Sequence, residues 1–178
     1  MRLEVIDTGY FKLDGGAMFG VVPKSLWQRV NQPDEKNFCT WALRCLLVEI
    51  DNHLVLIDTG LGDKQSEKFF SFVQPHGEDS LESSLHKLGV DYNDITDVVM
   101  THLHFDHCGG AVTRNSNGDL RPTFKNATYW SAEDQWEWAV NPNQRERASF
   151  LKENFIPLQE SGQLKFAKDG EEIFPDFK

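Results

Sequence analysis

The chain has 178 residues, 39% of them hydrophobic and 26% charged, which suits one domain with a sizeable core and excludes the compositions of disordered or fibrous proteins. Its 28 acidic residues against 18 basic ones give a net charge of −10, which repels nucleic acid at long range and offers it no basic footprint. No stretch approaches a membrane span, the first residues carry an acid at Glu4 and no apolar signal core, and Cys39, Cys45 and Cys108 cannot all pair within one chain. The expectation is a protein of a reducing cytoplasm, bound to neither membrane nor nucleic acid.

Leu3 to Asp7 alternates partly and predicts a strand, with a turn near Gly9. Asp14, Gly15 and Gly16 predict another turn, followed by a short apolar run from Ala17 to Val22, and the glycines suit a hairpin. Residues 31–37 form a polar loop. Thr40 to Ile50 and His53 to Ile57 are apolar and β-branched, and Asp51-Asn52 joins them as a hairpin. Asp58 ends the second strand before Thr59-Gly60; on residues alone it reads as a turn-capping aspartate.

Residues 63–77 predict a mobile helix or loop. Its Phe69, Phe70 and Phe72 read as core, with a lid as the other reading. Ser80 caps a helix on which Leu81, Leu85 and Leu88 share one face, and Gly89 stops it. His53 falls at the hairpin turn, while His76 and His86 read as solvent-facing; none of the three has motif company.

Val98 to Met100 predicts a buried strand that delivers the densest chemistry in the chain. From Thr101 the sequence reads Thr-His-Leu-His-Phe-Asp-His-Cys-Gly-Gly, packing three of the six histidines into ten residues. Imidazole and carboxylate together are a ligand set for zinc, iron or manganese. Alternation along an extended backbone puts His102 and His104 on one side, and a turn must then bring Asp106 and His107 back toward them. Gly109 and Gly110 suit that turn, because a backbone without Cβ can approach a helix or metal closely. Cys108 is either a thiolate ligand or, preferred here, a small packing residue.

Beyond the motif, residues 113–122 are a polar excursion with Asn-Gly turn chemistry, and Asn126 to Trp130 predicts a strand. Ser131 is the expected N-cap of a helix with acids in its first turn and Trp136, Ala139 and Val140 at helical spacing. Trp130, Trp136 and Trp138 read as core in preference to a ligand platform. Residues 143–154 predict a further helix ended by Pro157, and Gln163 to Phe166 a last strand before a turn at Asp169-Gly170.

His102-x-His104-x-Asp106-His107 resembles the signature of the metallo-β-lactamase superfamily of metal-dependent hydrolases. Leu54 to Gly60 is similar to that family's strand ending in an aspartate near the metals. Gly15 to Lys24, followed by Leu26-Trp27, resembles the entry segment of the branch that contains N-acyl-homoserine-lactone hydrolases. The resemblance implies an α/β (α+β) fold, the N-terminal portion of an αββα sandwich. It implies two divalent metal ions, with zinc as first choice and iron or manganese as alternatives. His102 and His104 would hold the first metal, Asp106 and His107 the second, and Asp58 would orient a metal-bound imidazole. Met18 and Phe19 would form a pocket wall.

The implied activity is attack of a metal-bound hydroxide on a small-molecule lactone such as an acyl-homoserine lactone, with Asp106 also passing a proton to the leaving alkoxide. Ester or thioester hydrolysis is the alternative. No histidine follows His107, whereas the family takes further ligands from later in its sandwich. Residues 1–178 are therefore expected to be a single, C-terminally incomplete domain with partial or absent metal occupancy, open to a non-catalytic role. A homodimer is expected to cover the exposed sheet.

Overall fold

In the computed structural model, which describes residues 1–175 and 177, the chain opens with β1 (Arg2–Asp14), one strand of 13 residues. The turn expected near Gly9 is instead a register shift between Asp7 and Tyr10 against β2 (Phe38–Ile50). A bulge of this kind bends a strand without ending it. Between β1 and β2 the apolar run does not make a hairpin. It winds into α1 (Gly15–Phe19), whose first turn is capped by the Asp14 carboxylate accepting from the Ala17 N–H, and α2 (Lys24–Trp27) follows.

β2 turns at Asp51-Asn52 into β3 (His53–Ile57), the hairpin read from the sequence, with Leu46 opposite Ile57 and Ile50 opposite His53. In the 63–77 segment Ser66 caps α3 (Glu67–Val73). Phe69 and Phe70 pack on a small core with Phe11, Leu43 and Phe105, but Phe72 is 60% exposed and does not belong to the core as expected. Ser80 caps α4 (Leu81–Lys87) through a reciprocal box with Ser83, and Leu85 on its inner face is fully buried.

Short β4 (Asp97–Val99) pairs parallel to β3 and leads to α5 (Phe105–Cys108). The polar excursion forms the hairpin β5 (Val112–Arg114) and β6 (Leu120–Pro122). β7 (Thr128–Ala132) joins β4 in parallel, α6 (Glu133–Val140) and α7 (Ile156–Glu160) follow, and β8 (Leu164–Ala167) pairs parallel to β7. The main sheet runs β1-β2-β3-β4-β7-β8 and is mixed, antiparallel at the start and parallel thereafter.

Two helix expectations fail. Ser131 is not an N-cap: β7 continues through Ala132 to pair with Ala167, so Ser131 is a buried strand residue, and α6 starts after Ala132 without a side-chain cap. Residues 143–154 do not form one helix. The Asn143 side chain accepts from the Arg145 and Glu146 N–H groups as a helix N-cap does, but only turns follow, leading to a single 3-10 turn at Lys152–Asn154. Pro157 opens α7 instead of closing a helix, as its missing N–H permits at a first turn.

Alternation divides the sheet's two faces. Leu47, Leu56, Val98 and Tyr129 face the larger core with Leu85, Phe124, Trp136, Phe155 and Leu158, whereas Val48, Ile50 and Val55 face a smaller cluster with Ile173 and Phe174.

At one end of the sheet two loops meet backbone to backbone. Thr59 N–H donates to the His107 carbonyl at 2.7 Å, and Gly110 N–H to the Gly60 carbonyl at 3.2 Å. A Cβ on Gly109 would lie 1.9 Å from the Leu61 carbonyl oxygen, and one on Gly110 would lie 2.3 Å from that of Thr59. The glycines thus serve contact with another backbone segment, which cannot yield as a flexible side chain would. Gly109→Ala and Gly110→Ala are each expected to destabilise the chain by about 3 kcal/mol or to prevent folding. A urea midpoint unchanged from the wild type in either variant would contradict this packing.

Candidate metal centre

The motif sits where parallel β4 ends beside the end of β3. Asp58, the first residue past β3, has φ +61°, a left-handed conformation that aspartate tolerates better than most residues, and is 7% exposed. Its Oδ1 accepts the Thr101 N–H at 2.9 Å, and its Oδ2 accepts the Thr101 hydroxyl at 2.8 Å. Oδ2 also lies 2.7 Å from His107 Nδ1. A buried carboxylate can accept but not donate when ionised, so His107 carries its proton on Nδ1 and turns Nε2 outward.

The same reasoning reaches His102. The Thr101 hydroxyl has one proton and commits it to Asp58, so toward His102 Nδ1, 3.1 Å away, its oxygen can only accept. One carboxylate therefore fixes two imidazoles, His107 directly and His102 through Thr101, each with Nε2 free. Thr101 escaped the sequence reading because it looked like the plain strand residue before the motif.

The rings converge. His102 stands with ring centroids 4.7 Å from His104 and 3.9 Å from His107, and Asp106 Oδ2 lies 3.5 Å from His107 Nε2. His104 meets the buried Phe150 ring edge-on at 4.7 Å, and exposed Trp138 lies against Phe150 at 6.3 Å. Trp136, by contrast, is buried, edge-on to Phe155 at 5.5 Å. The tryptophans expected as one core set are thus divided.

Burial lowers the His102 pKa, and the neighbouring His107 and His104 lower it further. Burial also lowers that of His104, against the pull of Asp106. Burial pulls His107 down as well, but its bond to Asp58 and the charge of Asp106 outweigh this, and the net direction is up. His102 and His104 are consequently neutral at pH 7, the form in which imidazole ligates a cation.

The other singled-out residues separate. Met18 is 43% exposed on α1, and Phe19 stacks on Trp27 at 4.8 Å and tilts against Trp41 at 5.4 Å; among the described residues neither makes a ring contact or hydrogen bond with the motif. Cys108 is fully buried and donates to the Leu103 carbonyl at 3.3 Å, and burial pushes its thiol up to about 12, which favours the packing role. His53 is more than a turn residue: its Nδ1 pairs with buried Asp97 at 2.7 Å, and its ring stacks on Phe174 at 4.3 Å. His76 is exposed as expected but stacks on Tyr10 at 5.7 Å. Buried Lys64, donating to the Gly109 carbonyl, had no signal in the sequence at all. A cavity of about 480 Å³ bounded by Thr59, Leu61, Gly62 and Gly110 lies apart from the site, and none of the motif histidines lines it.

The donor chemistry fits a borderline divalent ion: neutral imidazoles with outward Nε2 atoms beside a carboxylate. Among the described residues, however, no three His, Cys, Asp or Glu side chains are already grouped so as to close around one ion, and the donors meet in pairs.

Residues 44–160 match the model of the metallo-beta-lactamase superfamily, and the chain belongs to that family. Among its relatives is the N-acyl homoserine lactonase AiiA of Bacillus thuringiensis subsp. kurstaki, 27% identical over an alignment of 123 residues that covers 64% of this chain and 43% of the relative. A probable metal-dependent hydrolase from Staphylococcus aureus superposes with a TM-score of 0.86 at 30% identity, over 98% of this chain and 61% of its own. AidC, a dizinc quorum-quenching lactonase in complex with a product homoserine, shares the fold at a TM-score of 0.72 and 20% identity, over 97% and 60% of the two chains. The match thus spans less than half of the curated relative's length and about three fifths of each solved structure.

The electrostatic asymmetry has a measurable consequence. Because His107 titrates above its usual value, its charged pair with Asp58 stabilises the folded chain below about pH 6.5, and that increment fades as pH rises through the His107 pKa. In metal-free protein, NMR titration of the ring protons is expected to show His107 protonating first on acidification, and His102 and His104 only at lower pH. Asp58→Asn removes the carboxylate while keeping a residue that tolerates the left-handed backbone, and should lower the His107 pKa, because the bond that raises it is lost. An unmoved His107 titration would disprove the control by Asp58.

Proposed function

We propose that His102, His104, Asp106 and His107 hold divalent metal, zinc first with iron or manganese as alternatives, in a hydrolase of small neutral lactones such as N-acyl-homoserine lactones. The observation that carries this reading is the approach of the His102 ring to both His104 and His107, with His102 and His107 held in one tautomer by Asp58. The lactonases among the relatives support a lactone as the substrate class. The net charge of −10 suits a neutral substrate better than a polyanionic one.

Bound metal would lower the pKa of water and polarise the scissile carbonyl. The protein's own contribution is orientation. Asp58 and Thr101 keep the Nε2 lone pairs of His107 and His102 aimed outward, and burial keeps His102 and His104 unprotonated at neutral pH. Asp106, beside the His107 Nε2, is the group proposed to pass a proton to the leaving alkoxide. Phe150 and Trp138 extend an aromatic wall from His104, and Met18 with Phe19 forms a second proposed wall. No helix among the described residues is long and apolar enough to cross a membrane. Three free, buried cysteines suit the proposed cytoplasmic setting.

We further infer that the 178 residues are one domain corresponding to the N-terminal part of such a hydrolase, with additional ligands supplied from outside it. Leu3 and Val5, 54% and 64% exposed on β1, are part of the apolar sheet surface that a second copy is proposed to cover.

The test is hydrolysis of N-hexanoyl-homoserine lactone by the zinc-supplemented chain, beside a longer form carrying downstream sequence. His104→Ala is expected to lower the rate by about two orders of magnitude or more in whichever form turns over. A rate indifferent to His104→Ala would sink the metal reading. Preference for linear esters or thioesters would reassign the substrate. Zinc binding without turnover in the 178-residue chain alone would give that chain a non-catalytic role.

A further inference from the structure

Lys64 is a buried cation that the ligand set leaves unused. It is 9% exposed, lies two residues after Gly62, and its ammonium donates to the carbonyl of Gly109. Its neighbour Gln65 donates from Nε2 to Oδ1 of fully buried Asn154 at 2.7 Å. Two consecutive side chains thus reach out of the 61–65 segment, one to the loop that follows His107 and one to the 3-10 turn at Lys152–Asn154. Burying an ammonium is unfavourable unless it meets a strong acceptor. Here the position supplies one. The Gly109 carbonyl is that acceptor, at the start of a 3-10 turn (Gly109–Ala111) that follows α5 directly.

The geometry also shows why a side chain from elsewhere is needed. Gly109 and Gly110 have no side chains with which to anchor themselves. Their inner side is held by Thr59 N–H on the His107 carbonyl and Gly110 N–H on the Gly60 carbonyl. The Thr123 hydroxyl holds the Gly110 carbonyl at 2.7 Å. The Gly109 carbonyl between them receives Lys64. Asp106 and His107 sit in the four residues of α5 immediately before this turn, so a rotation of the Gly109 peptide is transmitted to both.

We propose that Lys64 is a positioning residue: by holding the Gly109 carbonyl it fixes the turn out of α5 and thereby the aim of Asp106 and His107 at a divalent cation. The proposal rests on the reading that the motif residues hold that cation, and its test separates the two. Zinc affinity is measured by competition with a chromophoric chelator for the wild-type chain, Lys64→Met, Lys64→Arg and His104→Ala. Amide hydrogen exchange at Thr59 and Gly110 is followed in the same proteins without metal, with Leu56 and Val98 as core controls.

Lys64→Met keeps length and burial but loses the donor. It is expected to weaken zinc binding about tenfold, within the range for residues that act on a metal through its ligands. It should also quicken exchange at Thr59 and Gly110 while leaving Leu56 and Val98 unchanged. Lys64→Arg retains a cationic donor and should recover most of both effects, which a requirement for bulk alone would not produce. If Lys64→Met does not fold, Lys64→Gln, whose amide stops short of the carbonyl, takes its place with the same expectations. Affinity and exchange within twofold of wild type in the donor-less variant would overturn the proposal, as would Lys64→Arg behaving like Lys64→Met. Equal zinc binding by wild type and His104→Ala would instead bring down the ligand reading, and the assignment of Lys64 to cation aiming with it.

Discussion

The structure of the site depends on one buried carboxylate. Asp58 receives the Thr101 N–H, the Thr101 hydroxyl and the His107 Nδ1 proton, all at 2.7–3.0 Å. A carboxylate 7% exposed is costly to bury unless its oxygens are satisfied, and here both are. The donors lie more than forty residues further along the chain, so the bonds form only when β4 has docked parallel to β3. Docking, burial of the carboxylate and selection of the imidazole tautomers are then a single event. The glycines around it follow from the same requirement, because the two loop backbones must touch for a side chain as short as aspartate to span them.

What could be read from the sequence was what local chemistry decides. The Asp51-Asn52 hairpin, the Ser80-capped helix and the motif strand carry their signals within a few residues, and the structure has them. β1 runs on past Gly9 because its long pairing with β2, which no local pattern announces, continues on both sides of a bulge. Ser131 has the residue type of a cap, but it pairs with Phe166 and its neighbour Ala132 with Ala167 of β8, and tertiary pairing overrides the local preference. Residues 143–154 carry helix-forming side chains and Asn143 caps their first N–H groups, yet the segment goes no further than turns and a single 3-10 turn at Lys152–Asn154.

At the site the same division holds. The residue types and spacing of His102, His104, Asp106 and His107 were enough to mark them as a set. Asp58 was ambiguous, because a turn-capping aspartate and one that holds a histidine look alike until the partner at 2.7 Å is known. Thr101 and Lys64 were invisible for a different reason. Thr101 works through a chain of hydrogen bonds from His102 to Asp58, and Lys64 acts on a backbone carbonyl that every residue type possesses. Met18 and Phe19 rest on the resemblance of their segment to lactonases, and the ring contacts of Phe19 fall on Trp27 and Trp41.

β4 is only three residues long, yet a carboxylate stands at each end of it. Asp97 at its start is buried and receives His53 Nδ1, the Thr96 hydroxyl and the indole N–H of Trp130, while Asp58 receives Thr101 just beyond its end. A slip of one residue would exchange Val98 and Val99 between the two faces of the sheet and strand both carboxylates at once. The strand therefore behaves as a ruler stapled at both tips, and its length sets how far the histidines project past the sheet. An insertion or deletion of a single residue between Asp97 and Thr101 would be felt first as a misplaced imidazole rather than as a lost strand.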